Sequence, residues 1–234
     1  MSRPAGRFQR RSARLALALP LAACTGDLST LDPAGPSAAA IATLWWTMLA
    51  GSVVIFVATA LALAVAWLRP AALGARGPRT LVLWGGLVLP SLILSALVLA
   101  AFLLGERLIG RGFAAPLEIE AEGRQWSWEF RYPAAGGAAT TDVLHIPAGR
   151  DVAFTVTSTD VIHSFWVPRL GGKIDAIPGH RNTIRLRADT PGQFGGVCAE
   201  FCGVGHGPMT FTVEVHPPEA YDGVLEAIAA GRQP

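Results

Sequence analysis

Two thiols, an imidazole and a thioether fall within twelve residues in Cys198-Ala-Glu-Phe-Cys202-Gly-Val-Gly-His206-Gly-Pro-Met209. Soft sulfur with imidazole suits copper; zinc fits less well, because methionine is a poor zinc ligand. Gly203, Gly205 and Gly207 let a short loop turn sharply enough to aim its donors at one point. A second imidazole stands upstream, at His163 in Val161-Ile-His-Ser-Phe-Trp-Val-Pro168. One Cys, one Met and two His would make a mononuclear blue-copper site. The additional Cys changes the expectation, because two thiolates can bridge two copper ions and leave one imidazole for each.

These donors need a rigid scaffold, and the sequence around them reads as one. From Pro116 onward, short alternating runs are punctuated by Gly and Pro. Leu117–Glu122, Trp126–Tyr132, Asp142–Ile146, Val152–Ser158, Ser164–Val167, Asn182–Arg187 and Thr210–Val215 read as strands. Pro147-Ala148-Gly149, Pro178-Gly179 and Pro191-Gly192 mark turns. Many short strands at this spacing suggest an antiparallel sandwich or a Greek-key barrel. Pro218–Ala230 reads as a terminal helix.

The N-terminal part is of another kind. Ser37–Leu68 and Thr80–Leu104 contain no charged residue, and each exceeds the roughly 20 residues that cross a bilayer core. Trp45, Trp46, Trp67 and Trp84 lie near the ends of these runs, as interfacial aromatics do. Arg69, Arg76 and Arg79 fill the intervening loop, which has no acid and is expected to face the cytoplasm. The C-terminal domain then faces outward. An Arg-rich start followed by Leu15–Leu21 has the pattern of a secretory signal. Leu21-Ala22-Ala23-Cys24 is similar to a bacterial lipoprotein box, with Cys24 as the lipid-bearing residue; the alternative is a leader cut elsewhere or not at all, with an idle Cys24. The expected organisation is a signal peptide over 1–23, a linker over 24–36, a transmembrane hairpin over 37–104, a linker over 105–115, a copper-binding domain over 116–216 and a tail over 217–234.

Eight of the arginines lie in the N-terminal block and the loop; without them the C-terminal domain is acidic. That excludes a nucleic-acid binder of the usual basic kind and suits a basic protein partner. The three cysteines, Cys24, Cys198 and Cys202, do not form a secreted disulfide framework.

The segment Cys198–Met209 resembles the dinuclear copper A loop of the cytochrome c oxidase subunit II family. His163-Ser-Phe-Trp-Val-Pro followed by Lys173-Ile-Asp-Ala-Ile-Pro-Gly179 is similar to that family's upstream ligand segment, and Gln125-Trp126-Ser-Trp128 to its aromatic segment. The resemblance covers Ser37 to about His216. It implies a membrane-anchored, all-β architecture, in which a two-helix transmembrane hairpin precedes a cupredoxin-like Greek-key sandwich or barrel. It implies that Cys198 and Cys202 bridge two coppers, that His163 with Met209 completes one, and that His206 with the Glu200 backbone carbonyl completes the other. The Glu200 carboxylate is then left for a Mg²⁺ or Mn²⁺ shared with subunit I. Further implications are single-electron transfer from cytochrome c, partnership with subunit I and subunit III, and residence in a bacterial inner membrane. Trp126 is either the point where electrons enter or a sheet-packing aromatic. Asp160 and Asp175 are either docking carboxylates for the donor or solvated turn residues.

The chain departs from the family in three places. Ser127 stands where an aromatic residue is common. No acid lies near the start of the second apolar run, which puts a proton-uptake role in doubt. There is no Cys-x-x-Cys-His, so no c-type haem is attached to this sequence. A thioredoxin-like copper chaperone would need βαβ pattern around the cysteines, and strands with Gly-rich turns stand there instead. A quinol-oxidase subunit lacks the ligands that are all present here.

Overall fold

The computed structural model describes residues 24–73, 77–108, 117–232 and 234. The expected signal peptide over 1–23 lies outside them. By contacts the chain divides into two compact units, Met1–Ala42 with Phe113–Pro234, and Thr43–Gly112.

In the second unit, sequence composition dictates helix. Helix α1 (Pro36–Leu68) starts on a proline, whose missing N–H is no loss in a first turn, and ends just before Arg69-Pro70. Thr47 and Thr59 donate their hydroxyls to the carbonyls four residues back, at Thr43 and Ile55, both at 2.8 Å. Large apolar side chains, including Phe56 and Trp67, are exposed along α1. Gly77–Thr80, a π-helical stretch Leu81–Val88 and helix α2 (Leu89–Leu108) follow. The change from π to α geometry falls one residue before Pro90, whose ring cannot donate to the Gly86 carbonyl and crowds it. Pro36–Leu68 and Leu81–Leu103 are each long and apolar enough to cross a membrane, as expected, with their apolar windows unburied.

The other unit is a two-sheet sandwich of cupredoxin-like form. Its strands are β1 (Leu117–Arg124), β2 (Ser127–Tyr132), β3 (Ala138–Thr141), β4 (Val143–Pro147), β5 (Val152–Ser158), β6 (His163–Trp166), β7 (Ile174–Ala176), β8 (Asn182–Leu186), β9 (Gly192–Cys198) and β10 (Thr210–His216). One sheet runs β3-β2-β1-β5-β8, the other β4-β10-β9-β6-β7. Most neighbours pair antiparallel, as the strand spacing suggests, with two exceptions. β1 pairs with β5 and β4 with β10 in parallel, because the chain crosses between sheets before each later strand arrives. A short helix, α3 (Tyr221–Ala229), follows β10 and buries Tyr221, Val224, Ala227 and Ile228.

Strand alternation sets the core. In β2, Trp128, Phe130 and Tyr132 point inward, while Glu129 and Arg131 pair with each other on the outer face. The Phe165 ring is the hub, 5.2 Å from both Phe154 and Phe211 and 5.6 Å from Trp128. Each such fully buried aromatic contributes about 2–3 kcal/mol of burial free energy.

The polar segment ahead of α1 is strapped to this sandwich. Arg169 donates to the Asp32 backbone carbonyl at 2.7 Å and pairs with its carboxylate at 3.0 Å. Ala34 N–H donates to the Arg169 carbonyl, and Asp189 N–H to that of Ala34.

Candidate metal centre

The candidate donors come from two neighbouring strands and one loop. His163 opens β6, Cys198 closes β9, and the two strands pair with Phe165 opposite Cys198. Ala199 N–H donates to the Ser164 carbonyl at 2.9 Å, which carries that ladder into the loop. The loop closes on itself: Cys198 N–H donates to the Met209 carbonyl at 3.0 Å, and Met209 N–H to that of His206 at 3.2 Å. Twelve residues of chain thus begin and end at the same point.

The side chains converge there. The sulfurs of Cys198 and Cys202 lie 3.7 Å apart, far beyond a disulfide bond, and both are free. His163 Nδ1 is 3.8 Å from Cys198 Sγ, and His206 Nδ1 is 3.7 Å from Cys202 Sγ. The Glu200 carbonyl oxygen stands 3.3 Å from Cys198 Sγ, and Met209 Sδ 3.6 Å from Cys202 Sγ. His163, Cys198, Cys202 and Met209 are buried. His163 and the two thiols lie within 4.8 Å of one another, and His206 does not join that group. Each sulfur therefore has its own imidazole. Without metal, burial and the adjoining Cys198 thiol push the Cys202 thiol above its ordinary range.

The donor chemistry fits copper. Four donors surround the sulfur pair, making six in all, more than a tetrahedral zinc ion takes, and one is a thioether. Imidazole, thiolate and thioether in a buried pocket form a soft set of the copper kind.

Sequence reasoning named every one of these donors and missed what holds them. Asp160 Oδ1 accepts from His163 Nε2 at 2.8 Å. The Gln125 and Val161 amides donate to the same carboxylate at 2.7 and 2.6 Å. Burial raises the Asp160 carboxyl, but the hydrogen bond from His163 and those from the two amides outweigh it, bringing it down to about 2. A proton on Nε2 leaves the Nδ1 lone pair facing the sulfurs. Gln125 Nε2 and Trp126 Nε1 both donate to the Cys202 carbonyl, at 2.9 and 3.1 Å. Trp126 thus lies over the ligand loop and is 44% exposed. A Cβ on Gly205 would meet its ring at 2.3 Å. Trp128, in contrast, is fully buried, with its ring 6.1 Å from that of His163.

The two remaining carboxylates face one lysine. Lys173 Nζ is 3.4 Å from Asp175 Oδ1 and 3.6 Å from Glu200 Oε2, and all three side chains are exposed. Around the loop Val204, Phe201, Ile162 and Val161 are exposed. Cys24 is partly exposed, and its carbonyl accepts from Ser29 Oγ at 2.7 Å.

Fold and donors together define a β-sandwich with a candidate copper site at one end. The family profile described as cytochrome c oxidase subunit II, periplasmic domain, matches residues 138–216, a stretch that contains all six donors. The cytochrome c oxidase subunit 2 of Alkalihalophilus pseudofirmus is 46% identical over 112 residues, which are 48% of this chain and 32% of that protein. That of Synechocystis sp. is 42% identical over 114 residues, 49% of this chain and 34% of the relative. The periplasmic domain of subunit II of cytochrome oxidase from Bradyrhizobium japonicum is 30% identical, with a TM-score of 0.49 over 51% of this chain and 97% of that domain. Over these residues the chain is similar to the periplasmic domain of cytochrome c oxidase subunit II. It spans about a third of the length of these two curated relatives.

Proposed function

We propose that this chain is the electron-accepting subunit of a haem–copper cytochrome c oxidase, and that its sulfur pair holds two copper ions. The observation that carries this reading is the 3.7 Å separation of two buried free thiols, each with its own imidazole. When bound, the dinuclear copper takes up and gives up one electron at a time without breaking bonds. Cys198 and Cys202 would hold the ions as thiolates, with His163, Met209, His206 and the Glu200 carbonyl as the remaining ligands.

The rest of the chain holds these donors still. Asp160 fixes the His163 ring, the β6–β9 ladder fixes the first thiol, and the sandwich excludes water from most of the site. Such rigidity keeps bond lengths similar in both redox states, which favours fast electron exchange. Trp126 reaches from the surface to the Cys202 carbonyl, so it receives the electron from a docked donor. The exposed apolar residues around it, with Asp160 and Asp175 at the margin, suit a basic cytochrome c. The electron then passes to haem in subunit I, where O₂ is reduced to water and protons are moved; subunit III completes the assembly. The Glu200 carboxylate turns from Lys173 to a Mg²⁺ or Mn²⁺ at the subunit I contact.

The two apolar helices anchor the chain in a bacterial plasma membrane. The Arg69–Arg79 loop lies on the cytoplasmic side, with the β-domain on the outer face and Cys24 lipidated after removal of residues 1–23. The test is copper analysis of the full chain in detergent, followed by rapid mixing with reduced cytochrome c. Two coppers per chain, reduced in one fast phase, support the reading; one copper, or no reduction, overturns it.

A further inference from the structure

A second group of donors lies on the sheet that carries Cys198, at its β4 edge. β4 is an edge strand beside β10, and their parallel register sets His145 opposite Glu214 and Pro147 opposite His216. Residues two apart share a face, so His145, Glu214 and His216 project together. Leu144, Ile146, Val213 and Val215 fill the core on the other face. His145 Nδ1 lies 3.0 Å from His216 Nε2 and 3.5 Å from Glu214 Oε2, and the three donor atoms are within 4.8 Å of one another.

The group is anchored from inside the fold by one member. His145 is 3% exposed. Its backbone is gripped on both sides: its N–H donates to Tyr132 Oη at 2.9 Å, and its carbonyl accepts from Tyr221 Oη at 3.2 Å. The Tyr221 ring stands 6.5 Å from that of His216. Two imidazoles and one carboxylate on a rigid ladder are the His₂Glu set found in zinc sites. Bonds of about 2.0–2.1 Å at a tetrahedral angle hold their donors about 3.3 Å apart, and the observed separations of 3.0 and 3.5 Å bracket that value. Burial lowers the affinity of both imidazoles for protons, more than the Glu214 charge raises it.

We propose that His145, His216 and Glu214 form a second metal site, which holds a borderline divalent cation of the Zn²⁺ type with solvent completing the shell. The ion pins the edge strand β4 to β10 ahead of α3 and takes no electrons. The competing arrangement is a hydrogen-bonded histidine pair with a neighbouring carboxylate.

The experiment uses the full-length chain in detergent, loaded with copper at the sulfur pair and freed of excess. Co²⁺ is titrated in and followed by visible absorption; Zn²⁺ is followed by metal analysis and by the thermal unfolding midpoint. The expected result is one ion per chain beyond copper, with the intense bands of four-coordinate Co²⁺. Zn²⁺ displaces Co²⁺ and raises the midpoint, and a chelator reverses the rise. His216→Asn and Glu214→Gln, both at partly exposed positions, bind at least about tenfold more weakly, while the copper spectrum stays unchanged. No uptake of either ion, or equal uptake by His216→Asn, overturns the site and leaves the hydrogen-bonded pair. The copper signal is read separately, so failure here leaves the sulfur-pair assignment standing.

Discussion

Asp160 Oδ1 lies 2.8 Å from His163 Nε2, on the side of the ring away from the nitrogen that faces Cys198. The carboxylate fixes the tautomer and makes the imidazole a better donor. Asp160→Asn keeps the fold and weakens copper binding about 10- to 100-fold, the usual cost of losing such a partner. It also shifts the nitrogen hyperfine coupling of one histidine. Copper titration with electron–nuclear double resonance checks this; an unchanged affinity and coupling would mean that Asp160 serves only its turn.

Gly205 gives Trp126 its place, since an added Cβ would meet the ring at 2.3 Å. Gly205→Ala must move the indole and break its bond to the Cys202 carbonyl. The expected outcome is full copper content with slower reduction by cytochrome c, matched by Trp126→Phe, which loses the same N–H. Stopped-flow reduction at wild-type speed in both variants would remove Trp126 from the path.

Phe165 connects the aromatic core to the site, because it touches Phe154 and Phe211 and pairs in register with Cys198. Phe165→Ala is expected to cost about 3–5 kcal/mol and to loosen the β6–β9 ladder. Denaturant unfolding of the copper-free chain measures the first effect, and copper titration the second.

Burial raises the Tyr132 phenol to about 12, more than its hydrogen bonds to Thr140 and from the His145 amide lower it. Its folded pKa lies above the unfolded value of about 10. The stability tied to its protonated form is therefore whole below about pH 10 and fades as pH climbs through about 12. The effect is bounded at about 2.7 kcal/mol, from two units at 1.36 each. The unfolding midpoint should fall with a shallower alkaline slope in Tyr132→Phe than in the wild type; equal slopes would show that other groups dominate.

The donors were legible because a metal demands particular atoms at short spacing, and the apolar helices because charge-free runs that long have few other uses. The strands were legible where they alternate, as in Val152–Ser158. β9 escaped because Gly192, Gly195 and Gly196 give it poor strand propensity; its geometry explains them, since a Cβ on Gly196 would meet the Phe211 ring at 2.1 Å. β3 is short, made of Ala and Thr, and follows two glycines. The Asp160–His163 bond and the His145–Glu214–His216 group were hidden for another reason. The first depends on how the turn before β6 folds back on the ring, and the second on register between β4 and β10, neither of which a linear spacing carries. In the sequence Trp126 stands between electron entry and sheet packing, because the reach of its N–H to the Cys202 carbonyl is set by tertiary placement alone.

Electron paramagnetic resonance of the copper-loaded full chain tests the central claim most directly. Each copper nucleus has spin three-halves, so one unpaired electron shared equally by two nuclei gives seven hyperfine lines, and one held on a single nucleus gives four. The expected spectrum has seven lines, with two coppers per chain, and it is lost in Cys202→Ser. Four lines, or a seven-line spectrum that survives Cys202→Ser, would contradict a shared pair of ions bridged by Cys198 and Cys202.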